Sequence, residues 1–356
     1  MKSLAFLGLA ALFLLCRICL LKPKKIVLLR RFPQWGTLGA LGDRMAQDPR
    51  LQSHQIVRIE QWRRLSTVYH LATAGFIFLN DGFRPLARFP VSKRTKIIQL
   101  WHADGALKRW GHSVGDAFPE AKRWTCAICS GEAMRAAWAE AFGIPLERVW
   151  ALGSPQLDAL VQPRDVAALR AAFDEQYPQC KGKHLVLYAP SFRDDDPDSA
   201  SLLAQFNFEQ FRQRFDDIAL LVRLHPKLHG RYTLPPWVVD LTGQPGLGDF
   251  MRISDRLITD YASLMTEAAA LGLPMVLYAY DYDEYMAHER GFYVDLRTVP
   301  PGPIVTQFDE LLELLAKPDD SADLRANFVK HHIGTVDGNS GARIIERVIL
   351  AEEGKA

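Results

Sequence analysis

The stretch Asp255-Arg256-Leu257-Ile258-Thr259-Asp260-Tyr261-Ala262-Ser263 runs through an Ala-rich segment to Gly272-Leu273-Pro274 and on into Met275-Val276-Leu277-Tyr278, and it constrains the chain more than any other. Arg256 to Thr259 reads as a short buried strand, the Ala-rich segment as a helix stopped by Gly272 and Pro274, and Met275 to Tyr278 as a second buried strand. Strand, helix and strand in that order build a parallel sheet, because parallel neighbours need a crossover. The polar turn then lies at the carboxyl end of a strand, where open α/β sheets take their ligands and where helix N–H groups suit phosphate. Thr259, Asp260, Tyr261 and Ser263 crowd into that turn. Asp260 and Ser263 are equally the residue types that cap a helix, so other strand ends have to decide between a phosphate site and a cap.

Two more strands of the same half end in polar clusters. His184-Leu185-Val186-Leu187-Tyr188-Ala189-Pro190 runs into Ser191-Phe192-Arg193, and Ala219-Leu220-Leu221-Val222-Arg223-Leu224 runs into His225-Pro226-Lys227. In a parallel sheet these ends share one edge. The first half reads as another α/β domain, with strands at Ile26–Leu29, Gly75–Leu79 and Lys96–Trp101 and an amphipathic helix from Glu132 to Phe142 closed by Gly143. Leu152-Gly153-Ser154-Pro155-Gln156-Leu157-Asp158 punctuates the chain before a more polar helix. The expected architecture is therefore two α/β parallel-sheet domains facing a cleft, residues 25–158 and 159–356. A chain of 356 residues with 48% hydrophobic and 24% charged residues can bury two such cores.

A formal net charge of +2 excludes a nucleic-acid binder that works through a global basic field. Five cysteines, an odd number spread unevenly, do not make a disulfide framework and point to a reducing compartment. Cys126 and Cys129 form a lone CxxC in a run that reads as a buried strand, and a zinc site would need a second ligand pair. No metal and no cofactor is expected.

Residues 1–24 hold an apolar run interrupted only by Arg17 and followed by Lys22, Lys24, Lys25, Arg30 and Arg31. Its length approaches the roughly 20 residues that span a bilayer, and the positive charge follows rather than precedes it. The expectation is an N-terminal membrane helix, spanning or lying in the interface, that holds the body on the cytoplasmic face of the cell membrane and adds nothing to either core.

His102 follows a strand directly in Trp101-His102-Ala103-Asp104-Gly105-Ala106-Leu107-Lys108. A lone strand-end histidine is more often structural, but His102 and His225, together with Ser191, Arg193, Ser263 and Lys108, form a set suited to an anionic diphosphate plus proton transfer. No HExxH, Walker loop or GxSxG elbow is present.

Trp101 through Lys108, Gly153 through Asp158, Tyr188 through Arg193, His225-Pro226, Ile258 through Ser263 and Tyr285 through Arg290-Gly291-Phe292-Tyr293 resemble, in order, the motif series of the CDP-glycerol glycerophosphotransferases of teichoic acid synthesis. Tyr69 through Ala74, Pro301-Gly302-Pro303 and Asp337-Gly338 also look like that pattern. The resemblance implies a GT-B fold of two Rossmann-like domains, the last helix able to cross back to the first, and transfer of glycerol phosphate, or a related polyol phosphate, from a CDP-alcohol to a hydroxyl of a polyprenyl-linked saccharide, with release of CMP. It implies His102 as base for the acceptor hydroxyl and His225 as hydrogen-bond donor to the diphosphate. Ser191, Arg193, Thr259, Asp260, Tyr261, Ser263 and Glu267 fall on the donor-binding side, and Asp104, Lys108 and Arg290 on the acceptor or supporting side. The chain departs from the family pattern at Ala103, Ser191 and Ala262, where Gly, Thr and Ser are usual, and a lost hydroxyl at Ala262 bears on donor identity. A GT-B nucleotide-sugar glycosyltransferase and an inactive membrane-tethered binding module are the rival readings.

Overall fold

The computed structural model describes residues 2–31, 36–60, 65–105, 107–193, 200–288 and 291–354. The chain divides into two compact units, residues 1–159 with 332–356, and residues 160–331. Each is built on one six-stranded sheet in which every pairing is parallel.

In the first unit β1 (Lys22–Leu29), β2 (Gln55–Ile59), β3 (Ala74–Leu79), β4 (Lys96–Gln99), β5 (Cys126–Cys129) and β6 (Val149–Ala151) lie in the order β2-β1-β3-β4-β5-β6. The inner strands are apolar because both faces are covered; all six residues of β3 and all four of β5 are buried. Cys126 and Cys129 are core residues of β5, and burial pushes both thiols up to about 12. One face of the sheet packs against Leu38, Leu41 and Met45 and against Ile344, Ile345 and Val348 of the returning C-terminal segment. Gly75 cannot carry a side chain, since a Cβ there would lie 1.8 Å from the Pro23 carbonyl oxygen of the neighbouring strand.

In the second unit β7 (His184–Tyr188), β8 (Ile218–Val222), β9 (Val239–Asp240), β10 (Arg256–Thr259), β11 (Met275–Tyr278) and β12 (Ile304–Val305) lie in the order β12-β11-β10-β7-β8-β9. The two strands read from the 255–278 stretch are β10 and β11, and they pair directly through Leu257, Ile258 and Thr259 against Met275, Val276 and Leu277. The carboxyl ends of β7 and β10 adjoin one another, so Ser191, Arg193 and Asp260 emerge side by side.

The N-terminal helix departs from expectation. It exists, as α1 (Lys2–Leu20), but among the described residues no helix is long and apolar enough to cross a membrane. Nor does it leave the first core alone. Phe13 is 0% exposed and stacks on Phe89 at 4.9 Å, Cys16 is buried, and Arg17 Nη1 donates to the Pro90 carbonyl oxygen at 2.6 Å. An apolar helix reads alike whether lipid or protein covers it, and here α1 packs along the helix Leu65–Thr73. Lys25, counted among the flanking charges, is buried in β1 with Nζ on Thr73 Oγ1 at 2.7 Å and over the Tyr69 ring at 4.5 Å, and burial lowers it to about 8. Phe13→Ala is therefore expected to destabilise the first unit by about 3 kcal/mol, the lower part of the range for emptying a buried phenylalanine site. Chemical denaturation measures it, and an unaltered midpoint would restore α1 as a free appendage.

Candidate active site

Trp101 leaves β4 with φ 61°, the one left-handed non-glycine backbone among the described residues. A bulky residue holds that conformation only when its surroundings over-determine it, and such strain collects at functional sites. The Gln99 side chain supplies part of the constraint: its Oε1 accepts from Trp101 N at 2.9 Å while its Nε2 donates to the Asp81 carbonyl oxygen at 3.2 Å. The Trp101 ring stacks on Trp110 at 4.4 Å and on His102 at 4.1 Å. His102 Nδ1 lies 3.0 Å from the Asn80 carbonyl oxygen, which only accepts, so the ring proton sits on Nδ1 and Nε2 carries the lone pair. Burial lowers the His102 pKa, against the opposing pull of that carbonyl and of the Asp81 carboxylate. The imidazole is thus neutral at physiological pH, oriented, and basic at Nε2.

Asp104 is a supporting residue in the structural sense. It is buried, accepts from Ser154 Oγ, and its backbone oxygen accepts from Ser130 Oγ at 2.6 Å. Burial, with Asp158 nearby, pushes its carboxyl up to about 6. Asp158 accepts from Gly338 N at 3.0 Å and Ser340 N at 2.6 Å. The histidine loop, the 153–158 motif and the 337–340 segment, far apart in sequence, therefore close into one network in the first unit. Lys108 is half-buried in the loop after His102, and Arg290 lies outside the described residues.

The second unit holds the other histidine. His225 is exposed after β8, and its Nδ1 accepts from Lys227 N at 3.2 Å. That fixes the opposite tautomer to His102, with the proton on Nε2, so this ring presents a donor. Phe192 lies beside it with ring centroids 5.3 Å apart.

Arg193 and Asp260 are turned inward. Arg193 is 4% exposed, and its Nε and Nη2 meet both oxygens of Asp281 at 3.0 and 3.1 Å. Its Nη1 donates to Ser191 Oγ at 2.8 Å and lies 3.0 Å from Asp260 Oδ2, an ion pair without hydrogen-bond geometry. Asp260, 2% exposed, accepts from Ser191 N at 2.8 Å and from Tyr261 N. Thr259 donates to the Ala189 carbonyl oxygen at 2.7 Å, and Tyr261 donates to Asp281 at 2.9 Å while stacking on Tyr285 at 4.1 Å. These four were expected on the ligand; their polar atoms instead tie the β7, β10 and β11 ends together. Glu267 is half-buried within electrostatic reach of Arg223. Ser263 is exposed and makes no capping hydrogen bond, so it is available to a ligand as the buried members are not.

Asn80, Gln99 and Asp281 are site residues that sequence reasoning passed over, while Ser154 and Asp158 stood in the 153–158 motif without an assigned role. Asn80 and Asp281 carry a visible signal, since each follows a buried strand as His102 and His225 do.

The model of the CDP-glycerol:poly(glycerophosphate) glycerophosphotransferase family matches residues 45–350. The chain belongs to that family. It is 32% identical over 297 residues to a teichoic acid ribitol-phosphate primase of Bacillus spizizenii, covering 79% of this chain and 76% of that one. A teichoic acid poly(ribitol-phosphate) polymerase of the same organism is 29% identical over 302 residues, 81% of this chain but 49% of its own length, so the chain spans about half of that relative. Among solved structures the wall teichoic acid polymerase TagF superposes with a TM-score of 0.77 at 20% identity, covering 99% of this chain and 98% of that one, a likeness of fold. Two parallel-sheet units are observed as expected, but the compact units run over residues 1–159 with 332–356 and residues 160–331 rather than 25–158 and 159–356.

Proposed function

We propose that the chain transfers a polyol phosphate from a CDP-alcohol to a hydroxyl of a polyprenyl-linked saccharide acceptor, releasing CMP, in the building of a cell-envelope polymer. The single observation that carries the reading is the opposed tautomers of His102 and His225, one offering a lone pair at Nε2 and the other a proton. His102 takes the acceptor proton as the oxygen attacks the phosphorus that bears the polyol. The bond from that phosphorus to the CMP oxygen breaks, and His225 hydrogen-bonds the departing phosphate. Phosphoryl transfer asks chiefly for alignment and charge neutralisation, and the scheme requires no metal ion. Exposed Ser263 meets a phosphate oxygen, while Arg193, Thr259, Asp260 and Tyr261 shape the turn that carries it.

Ribitol is the donor alcohol we infer, supported by the ribitol-phosphate relatives named above and by Ala262, whose missing hydroxyl sets the turn apart from the usual pattern. CMP release with CDP-ribitol is expected to exceed that with CDP-glycerol by at least tenfold in kcat/KM, about the discrimination a changed polar contact gives. Equal rates would remove the ribitol assignment, and release of a nucleoside diphosphate from nucleotide sugars would replace the reaction.

We place the protein on the cytoplasmic face of the membrane, with α1 lying in the interface. Leu7, Leu15 and Ile18 are each more than 60% exposed on the side of α1 away from Phe13, an apolar stripe that lipid would cover. Vesicle flotation tests the placement: Leu15→Ser with Ile18→Ser should release the protein from vesicles without lowering its thermal stability.

A further inference from the structure

The first unit contains a cavity of about 350 Å³ between the end of β3 and residues 116–120. Glu120 lines its floor at 0% exposure, and neither carboxylate oxygen has a hydrogen-bond partner among the described residues. Buried carboxyls are nearly always hydrogen-bonded, so one whose neighbouring Phe83 and Glu120 N–H groups fall outside hydrogen-bond geometry has acceptor capacity left for something else. Burial pushes its pKa up, aided by Asp81 and opposed by Arg84 and by the N–H groups of Phe83 and of Glu120 itself.

The rest of the lining is chemically mixed. Asp81 and Arg84 stand on the wall, the Arg31 guanidinium lies over the Phe83 ring at 5.9 Å, and Phe118 adds a second aromatic surface. Arg84 Nη2 meets Asp116 at 2.9 Å on the exposed rim. A Cβ on Gly82 would come within 3.0 Å of the Phe118 ring and 3.1 Å of Glu120 Oε1, so a side chain there would crowd the floor. The cavity also adjoins the base, because Asn80, which orients His102, precedes Asp81, and the Asp81 carboxylate acts electrostatically on the same imidazole. Carboxylates accept hydroxyl protons, guanidinium groups read phosphate, and aromatic faces cover the C–H surface of a polyol.

We propose that this cavity is an acceptor subsite that takes the terminal polyol phosphate of a hydroxyl-rich chain, with Asp81 and Glu120 receiving hydroxyls and Arg84 and Arg31 facing the phosphate. It rests on the reading of His102 as base for the acceptor hydroxyl. The test is steady-state kinetics with a polyol-phosphate-primed acceptor, with ribitol 5-phosphate, glycerol 3-phosphate and inorganic phosphate as inhibitors. In the wild-type protein the two polyol phosphates compete with the acceptor and not with the CDP-alcohol. Glu120→Gln and Arg84→Ala each raise the acceptor KM about tenfold, the loss of one hydrogen bond or ion pair to a bound group, and relieve that inhibition, with the donor KM moving less than twofold. Arg84 is on the rim, so its variant reports even if Glu120→Gln fails to fold. Acceptor KM and inhibition unmoved in Arg84→Ala would overturn the subsite and leave Glu120 to an internal water. Inhibition by inorganic phosphate as strong as by the polyol phosphates would overturn its hydroxyl-reading half. Loss of turnover in His102→Ala beside an inert Arg84→Ala would refute the subsite while leaving the base in place, whereas normal turnover in His102→Ala would refute the base.

Discussion

His102→Ala is expected to lower turnover by about 10²–10⁴-fold with the affinity for CDP-alcohol nearly unchanged, the range for removing a general base. The geometry sharpens this. The Nδ1 proton is spent on Asn80, so the base is Nε2, and His102→Gln, which cannot accept a proton at neutral pH, should be as impaired as the alanine variant. The working form is the neutral ring, and burial lowers its pKa below the ordinary value of 6.5. Activity should therefore persist as pH falls through 6.5 and collapse only below it, because the base is lost when the ring gains a proton. Single-turnover rates across pH measure this limb. A structural histidine would behave otherwise, with thermal stability and activity falling together and no displaced acid limb. Near-normal turnover in His102→Ala at saturating donor and acceptor would end the assignment.

The 255–278 stretch was legible because both its strands are buried on two faces. Such strands are unbroken apolar runs whose ends are marked by polar residues, and β10 and β11 begin and end where the sequence placed them. β2 went unread because Gln55-Ile56-Val57-Arg58-Ile59 is an edge strand with a single fully buried residue, and β9 and β12 are two-residue edges with too little sequence to carry a period. The strand Lys96–Trp101 is two residues longer in expectation than β4, since nothing in Leu100-Trp101 announces a left-handed tryptophan. Period also cannot say what covers an apolar face, which is why α1 was assigned to lipid although Phe13 and Cys16 face protein.

At the site, the sequence located strand-end polar residues but not the direction in which they point. His102 and His225 are held by one ring nitrogen each, Nδ1 on the Asn80 carbonyl oxygen and Nδ1 on Lys227 N, while Thr259 and Asp260 look back into the sheet ends. The deciding partners are remote. Asp281 is 88 residues from Arg193 and Ser340 is 182 from Asp158, separations that spacing within a motif cannot reveal. Electrostatics adds a second reason: a guanidinium among phosphate-binding residue types is read as a ligand unless two carboxylates are known to meet it first.

Those two carboxylates make Arg193 a stability element of the second unit's strand ends. Asp260 and Asp281 are 2% and 17% exposed at the side chain, and one buried guanidinium serves both, at 3.0 and 2.9 Å. The Ser191 and Tyr261 N–H groups and the Tyr261 hydroxyl supply the remaining donors. Arg193→Ala would strand two negative charges in a site that water barely reaches. Breaking a buried pair from one side costs about 3–5 kcal/mol, and the second carboxylate argues for the upper part of that range. Asp281→Asn is the informative companion, since it keeps an acceptor for Arg193 and for the Tyr261 hydroxyl while removing a charge. If Arg193 positions the turn, Asp281→Asn loses stability and CDP-alcohol affinity together, and Arg193→Lys, which cannot pair with both carboxylates as a fork, restores little. If Arg193 were itself the phosphate ligand, Asp281→Asn would free its charge and tighten the CDP-alcohol, and Arg193→Ala would weaken binding with an unshifted melting temperature. Thermal melts paired with calorimetry on the same three variants separate the two, and the inward-facing ion triad predicts the first.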